Sequence, residues 1–296
     1  MNDVSGAMIE CDDLVKIYKT RDTEVMALRG LDLMVERGEF VVIIGASGSG
    51  KSTLLNMLGG LDTPTMGRLF IDGRDMLKMS RAALDSYKRQ ITGFVWQNNA
   101  RNLIPYLTAR ENIELIGRMS GRLDKGYSTE LLEMVGLTKR KNNKLTEMSS
   151  GEQQRIATAI ALINKPKLLL ADEPTSSVDT KTTENMMKMF TDIQKALDLT
   201  IVIVSHDPNV AKNVDRVISI RDGKTSSEIL RRDNIADLRD LPELNENEEQ
   251  VELAVIDRSG RVQIPEEYFK DSTVGKKDKV RIEKENGKII IYPVDV

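Results

Sequence analysis

At 296 residues the chain is long enough for one large domain and a small one. A net charge of -3 excludes a global electrostatic pull toward nucleic acid, so any such binding would have to be local. The single cysteine, Cys11, excludes an internal disulfide and suits a reducing compartment.

The opening MNDVSGAMIECDD has neither the basic nor the apolar stretch of a secretory signal, so no leader is expected. The longest apolar runs, at 40–44, 168–171, 201–204 and 289–292, are strand-sized. None approaches the ~20 residues of a spanning helix, so work at a membrane would need a partner. Short apolar strands alternating with amphipathic helices from the start to about residue 224 predict an α/β domain with a largely parallel sheet. The spacing predicts a helix over 152–163, with Ile156, Ala159, Ile160 and Ile163 on one stripe and Pro166 beyond its end. A second helix, around 181–197, aligns Met186, Met189, Phe190 and Ile193, and this methionine-rich stripe reads as core.

After Gly223 the composition changes. Residues 225–250 are polar and acidic, ending in LNENEEQ, and read as a solvated linker. From about 251 a small β-rich module is expected: strands at 252–256 and 261–264 around a Ser259-Gly260 turn, and a helix start at Glu266 after Pro265. A hairpin is expected at 280–283 and 288–292, flanking Asn286-Gly287.

The chemistry concentrates in three places. FVVIIGASGSGKST, residues 40–53, is an apolar strand, a glycine-rich loop and a helix start; Gly45, Gly50, Lys51 and Ser52 occupy the phosphate-loop spacing. Backbone N–H groups of Ser47, Gly48, Ser49 and their neighbours through Thr53 must face phosphates without intervening side chains, and a helix N-terminus adds positive potential. Lys51 would neutralise the β and γ phosphates of ATP, while the Ser52 hydroxyl would ligate Mg²⁺. KLLLADEP, residues 167–174, is a buried-looking strand ending in two carboxylates: Asp172 suits the Mg²⁺ shell, and Glu173 suits activation of the attacking water. Alone, such a pair is an ordinary turn; beside a phosphate loop it becomes a metal and base pair. His206, the one histidine, follows the strand at 201–204 and would enter the same crevice, near the γ-phosphate.

Taken together and in this order, residues 8–224 resemble the ABC-transporter ATPase family. SSGEQQR (149–155) resembles the family signature, which implies that Ser149 and the Gly151 amide cap the nucleotide of a second subunit. Gln97, in FVWQNN, resembles the glutamine linking the Mg²⁺ shell to a permease contact; Ser177-Val178-Asp179 resembles the loop joining two active sites; Tyr18 resembles the aromatic that stacks on adenine. The resemblance implies a phosphate-loop NTPase fold with a mainly parallel sheet core, an antiparallel β subdomain and an α-helical subdomain, working as a head-to-tail dimer. LLNMLGGLDTPTMG (54–67), NLIPYLTARENI (102–113) and ADEPTSSVD (171–179) resemble the branch of lipoprotein-release, macrolide-export and antimicrobial-peptide-resistance ATPases. That branch implies a permease with a large extracytoplasmic domain, lipidic or peptidic cargo, and a cytoplasmic, peripheral place on the inner face of the plasma membrane. Three departures stand out: Ser150 where the signature usually has glycine, Met148 where leucine is usual, and Ser176-Ser177 before Val178-Asp179 where the branch commonly has Gly-Asn before Leu-Asp.

Residues 252–294 resemble the AbrB-type swapped-hairpin domain through the Gly260-Arg261 turn, Ile264-Pro265 and the closing hairpin. Such domains form intertwined homodimers, and many bind DNA. Residues 251–296 carry nine Lys or Arg and nine Asp or Glu, so the module lacks a net basic footprint and dimerisation is favoured. The competing expectation is a soluble ATPase acting on nucleic acid, or a regulatory ATP sensor, with this module as its reader.

Overall fold

The computed structural model describes residues 6–20, 23–97, 103–121, 123–176, 178–214, 216–231, 250–256, 260–262, 264, 280–285 and 288–293. The chain divides into two compact units, Met1–Leu253 and Ala254–Val296.

The first unit opens with antiparallel structure. Strands β1 (Ile9–Lys19) and β2 (Glu24–Val35) pair with each other, and β4 (Met66–Ile71) and the short β5 (Arg74–Asp75) complete a four-stranded sheet in the order β2-β1-β4-β5. The strand–helix alternation expected from the first residue therefore begins only at β3 (Phe40–Ile44), which feeds helix α1 (Lys51–Leu58). The reason is visible in β1, whose register shifts after Cys11, Leu14 and Lys16 break the simple period of two.

The second sheet holds seven strands in the order β11-β10-β9-β3-β8-β7-β6. These are β6 (Thr92–Val95), β7 (Leu168–Asp172), β8 (Thr200–Ser205), β9 (Arg216–Arg221), β10 (Lys224–Arg231) and β11 (Gln250–Ala254). The five strands β9, β3, β8, β7 and β6 run parallel. Each central strand is buried on both faces, as parallel sheets require. Phe40 and Val42 of β3 pack into one core while Val41 and Ile43 pack into the other; β8 divides likewise into Ile201 and Ile203 against Val202 and Val204.

Helices α2 (Arg81–Gln90), α3 (Ala109–Met119), α4 (Lys125–Met134), α5 (Ser150–Leu162) and α6 (Thr180–Leu197) supply the remaining layers. The expected stripe on α5 is buried, and so are Ala157, Thr158 and Leu162, so this helix is enclosed on most sides. Met186, Met189, Phe190 and Ile193 of α6 lie in the core as expected.

Residues 225–231, expected to open the acidic linker, instead form most of β10. Asp222 and Gly223 both have positive φ (52° and 77°), and Arg221 pairs with Lys224, which makes this a two-residue Asp-Gly hairpin turn. Arg216 ties the hairpin down by bonding to Glu228, Glu39 and the Met34 carbonyl. The acidic stretch that suggested a linker lies at 232–249, outside the described residues.

In the second unit, Ile256 and Val262 form an isolated antiparallel bridge. Strands β12 (Val280–Glu285) and β13 (Lys288–Pro293) form an antiparallel hairpin in which Glu285 pairs with Lys288. The helix expected at Glu266 and the hairpin loop at Asn286-Gly287 lie outside the described residues.

Candidate active site

The phosphate loop joins β3 to α1, and local chemistry sets it apart from the other α-helix starts described. Helices α2 to α6 are each capped by a side chain: Ser80, Thr108, Asp124, Ser149 and Asp179. Helix α1 begins at Gly50 with φ 103° and no side-chain cap. Its first N–H groups are thus left for another acceptor, and the helix dipole favours an anion there.

Glycine is required on steric grounds at two points of this loop. A Cβ on Gly45 would lie 2.3 Å from the Ile220 carbonyl oxygen, and one on Gly50 would lie 2.6 Å from that of Ala27. The Ser49 hydroxyl is buried without a hydrogen-bond partner. The Lys51 ammonium folds back onto the carbonyls of Gly45 (2.7 Å) and Ala46 (2.9 Å). Burial pulls its pKa below the ordinary lysine value, although Glu173 and Asp172 oppose the shift. A desolvated cation, a partnerless hydroxyl and an uncapped helix start together fit a phosphate chain.

A cleft of about 560 Å³ opens over this loop. Its lining brings together Tyr18, Ser47, Gly48, Gly50, Lys51, Ser52, Thr53, Gln97, Glu173 and His206, along with Val25, Met26 and Ala27. Gln97, Glu173 and His206 follow the C-terminal ends of β6, β7 and β8, the edge at which parallel α/β sheets bind ligands. The Ser52 hydroxyl donates to Asp172 Oδ1 at 3.2 Å. Among the described residues no three His, Cys, Asp or Glu side chains cluster as a metal site. The available donors are thus a hydroxyl, a carboxylate and an amide, which with phosphate and water oxygens suit hard Mg²⁺.

Glu173 sits at φ 48°, a left-handed conformation held by its N–H bond to the Val204 carbonyl at 2.9 Å. Such strain costs about 1–3 kcal/mol and persists where the surroundings impose it. His206 Nδ1 lies 2.8 and 2.7 Å from the two Glu173 carboxylate oxygens. The carboxylate is largely buried and the imidazole exposed.

The other expected residues stand apart from the cleft lining. Gly45 and Ser49 lie within the loop. Ser149 caps α5, its hydroxyl accepting from Glu152 N while donating to the Glu152 carboxylate. Gly151 lies in the first turn of α5, where a Cβ would approach Thr182 at 3.2 Å. Asp179 caps α6 through Thr182, whose backbone N–H above all holds its carboxyl below the usual range. Ser177 lies outside the described residues. Val25, Met26 and Ala27 were not anticipated; their only sequence signal is an apolar run, and two of the three are exposed large hydrophobics.

Phosphate grip, acidic strand end and sheet edge define a phosphate-loop nucleoside triphosphatase. The profile described as ABC transporter matches residues 28–176, and the chain belongs to that family as one of its ATP-binding ATPases. It is 41% identical over 221 residues to the lipoprotein-releasing system ATP-binding protein LolD of Xanthomonas euvesicatoria, covering 74% of this chain and 90% of that one. It is 40% identical over 235 residues to the macrolide export ATP-binding/permease protein MacB of Rhodopirellula baltica. That alignment covers 78% of this chain but spans only 34% of the relative. The solved dimeric post-hydrolysis structure of the ATP-binding cassette MJ0796 with ADP and Pi shares 38% identity and a TM-score of 0.67, covering 75% of this chain and 97% of that one.

Proposed function

We propose that this chain is the ATP-hydrolysing subunit driving a separate membrane permease, and that it couples closure of two cassettes around Mg·ATP to export of a lipid, lipoprotein, peptide or drug. The observation that carries this reading is the division of the expected nucleotide contacts. The cleft collects the phosphate loop, Gln97, Glu173 and His206, whereas Ser149 and Gly151 stand at the start of α5, outside its lining. A second copy facing head to tail would bring its signature to the open side, an arrangement in keeping with the dimeric relative. The names of LolD and MacB support the cargo class. No described helix is long and apolar enough to cross a membrane. The proposed site of work is the inner face of the plasma membrane, beneath a permease with a large extracytoplasmic domain.

In this reading Tyr18 stacks on the base, and Lys51 with the loop amides holds the phosphates. Ser52, Asp172 and Gln97 would hold Mg²⁺, which when bound neutralises charge on the β and γ phosphates. Glu173 accepts a proton from the attacking water, and His206 fixes the carboxylate that does so. Asp179, by capping α6, holds the loop between the two sites.

For residues 251–296 the proposal is an AbrB-like module, following an acidic linker, that joins two copies. A two-stranded hairpin is marginal alone, and β12–β13 leaves Ile282 and Ile289 exposed. Tethering would raise the effective concentration of the ATPase domains. Copurification from solubilised membranes tests the main proposal: recovery of a permease supports it. Salt-sensitive binding to DNA or RNA with no permease would favour a nucleic-acid ATPase. Ending the chain at residue 254 tests the tether: an unaltered dimer constant without nucleotide rejects it.

A further inference from the structure

The cleft wall formed by Tyr18 is built from more than the ring. Lys16 and Tyr18 stand two apart on β1, either side of the register shift after Lys16, and their side chains converge on one carboxylate, that of Asp62. The Tyr18 hydroxyl donates to Asp62 Oδ2 at 2.7 Å, and Lys16 Nζ donates to Asp62 Oδ1 at 2.5 Å and to the Thr63 carbonyl at 2.8 Å. The same ammonium stands 4.9 Å from the centroid of the Tyr18 ring, within cation–π range. Lys16 is buried, so this is no loose surface pair. Burial opposes ionisation of Asp62, yet the hydrogen bonds from Lys16 and Tyr18 outweigh it and hold the carboxyl below its ordinary range.

Asp62 belongs to the segment leaving α1. The N–H groups of Leu61 and Asp62 both bond to the Asn56 carbonyl, at 2.8 and 3.3 Å, inside the last turn of that helix. The helix that presents Lys51 at its start therefore carries, at its other end, the acceptor that fixes the aromatic ring. A partly exposed tyrosine would otherwise have to be ordered at the moment of binding, with the loss of rotamer freedom charged against affinity.

We propose that Asp62 and Lys16 are positioning residues that lock the Tyr18 ring in the orientation a nucleotide base stacks on, at a spacing from the phosphate loop set by helix α1. This rests on the reading of Tyr18 as the base platform, and the test separates the two. Binding of a non-hydrolysable ATP analogue and of tripolyphosphate, which has no base, is measured by calorimetry with Mg²⁺ on the full chain. Asp62→Ala is expected to weaken the analogue about tenfold, the worth of a charge-assisted hydrogen bond, and to leave tripolyphosphate unchanged. Steady-state hydrolysis should show the loss in KM, with kcat retained. Tyr18→Phe, which keeps the ring and removes its tether, should match Asp62→Ala, and the two should not add. Asp62→Ala should have no further effect in a Tyr18→Ala background. If Tyr18→Ala weakens the analogue while Asp62→Ala does not, the positioning role is overturned. Equal weakening of both ligands by Asp62→Ala also overturns it, since that marks general damage to the fold. If Tyr18→Ala leaves the analogue's affinity intact, the base platform itself is wrong.

Discussion

Gly223 offers the sharpest test of how the phosphate loop is supported. It forms the Asp-Gly turn between β9 and β10; its N–H donates to the Ser49 carbonyl at 3.1 Å, and its carbonyl accepts from Arg29 N at 2.9 Å. A Cβ there would lie 2.7 Å from the Ala27 carbonyl oxygen and 3.0 Å from Leu28 Cα, where ordinary contacts begin near 3.4 Å. Gly223→Ala should therefore cost about 1–2 kcal/mol for the left-handed backbone and a further 1–3 kcal/mol, roughly, for crowding that only backbone movement can relieve. Gly121→Ala is the matched control, because Gly121 has φ 69° and open space around its Cβ position; it should cost only the first part. Urea unfolding of both variants measures the difference, and calorimetry with Mg·ATP should show about tenfold weaker binding for Gly223→Ala alone, since the turn grips Ser49. Equal destabilisation of the two variants would refute the steric argument. Unchanged nucleotide affinity in Gly223→Ala would refute the link to the phosphate loop.

Lys51→Ala removes charge-assisted bonds of about 1.5–3 kcal/mol, so Kd for Mg·ATP should rise about tenfold to hundredfold by calorimetry. Glu173→Gln should lower phosphate release by about 10²–10⁴-fold while retaining ATP binding, and in a chain ended at residue 254, which lacks the proposed tether, Mg·ATP should drive the variant into a dimer visible by sedimentation; unchanged release removes Glu173 from its role. Asp72 has a largely buried side chain bonded to Arg37 (2.6 Å) and Lys167 (3.1 Å), bonds that outweigh burial and hold its carboxyl below the usual range. A depressed folded-state pKa contributes stability above the unfolded value of about 3.9, lost as pH falls through the lower folded value. Asp72→Asn should thus lower stability by about 1 kcal/mol at pH 7, because both cations are half-exposed and screened. Urea midpoints should show that difference shrinking toward pH 3.

The parallel core was legible because its strands are continuous apolar runs: 40–44, 168–171 and 201–204 needed no tertiary information. Strand β1 was not, since Asp12 and Asp13 interrupt its alternation and Asp13 turns to φ 49° at the irregularity. Strand β10 was hidden by the acidic composition that follows it, although Asp222-Gly223 carried a hairpin signal. In the site, the glycine spacing and the Asp172-Glu173 pair announced their chemistry locally. Tyr18 and Gln97 had no local signal and were found only through family resemblance. Asp62 had none either, because it lies 44 residues from Tyr18 and only the fold brings the two together. Val25 and Met26 looked like ordinary strand residues; their meaning comes from the wall they share with that tyrosine.

The cap on α5 carries a consequence for assembly. Ser149 is already engaged with Glu152 at both its hydroxyl and its backbone N–H, so the signature serine has partners within its own subunit. In the proposed dimer, turning that hydroxyl toward a neighbour's phosphate breaks a bond within its own chain. Two empty cassettes gain nothing from making that exchange, and only a triphosphate offers a better acceptor than the carboxylate given up. Even in copies joined through their C-terminal modules, the two ATPase faces of the proposed dimer would therefore rest apart until nucleotide draws them together.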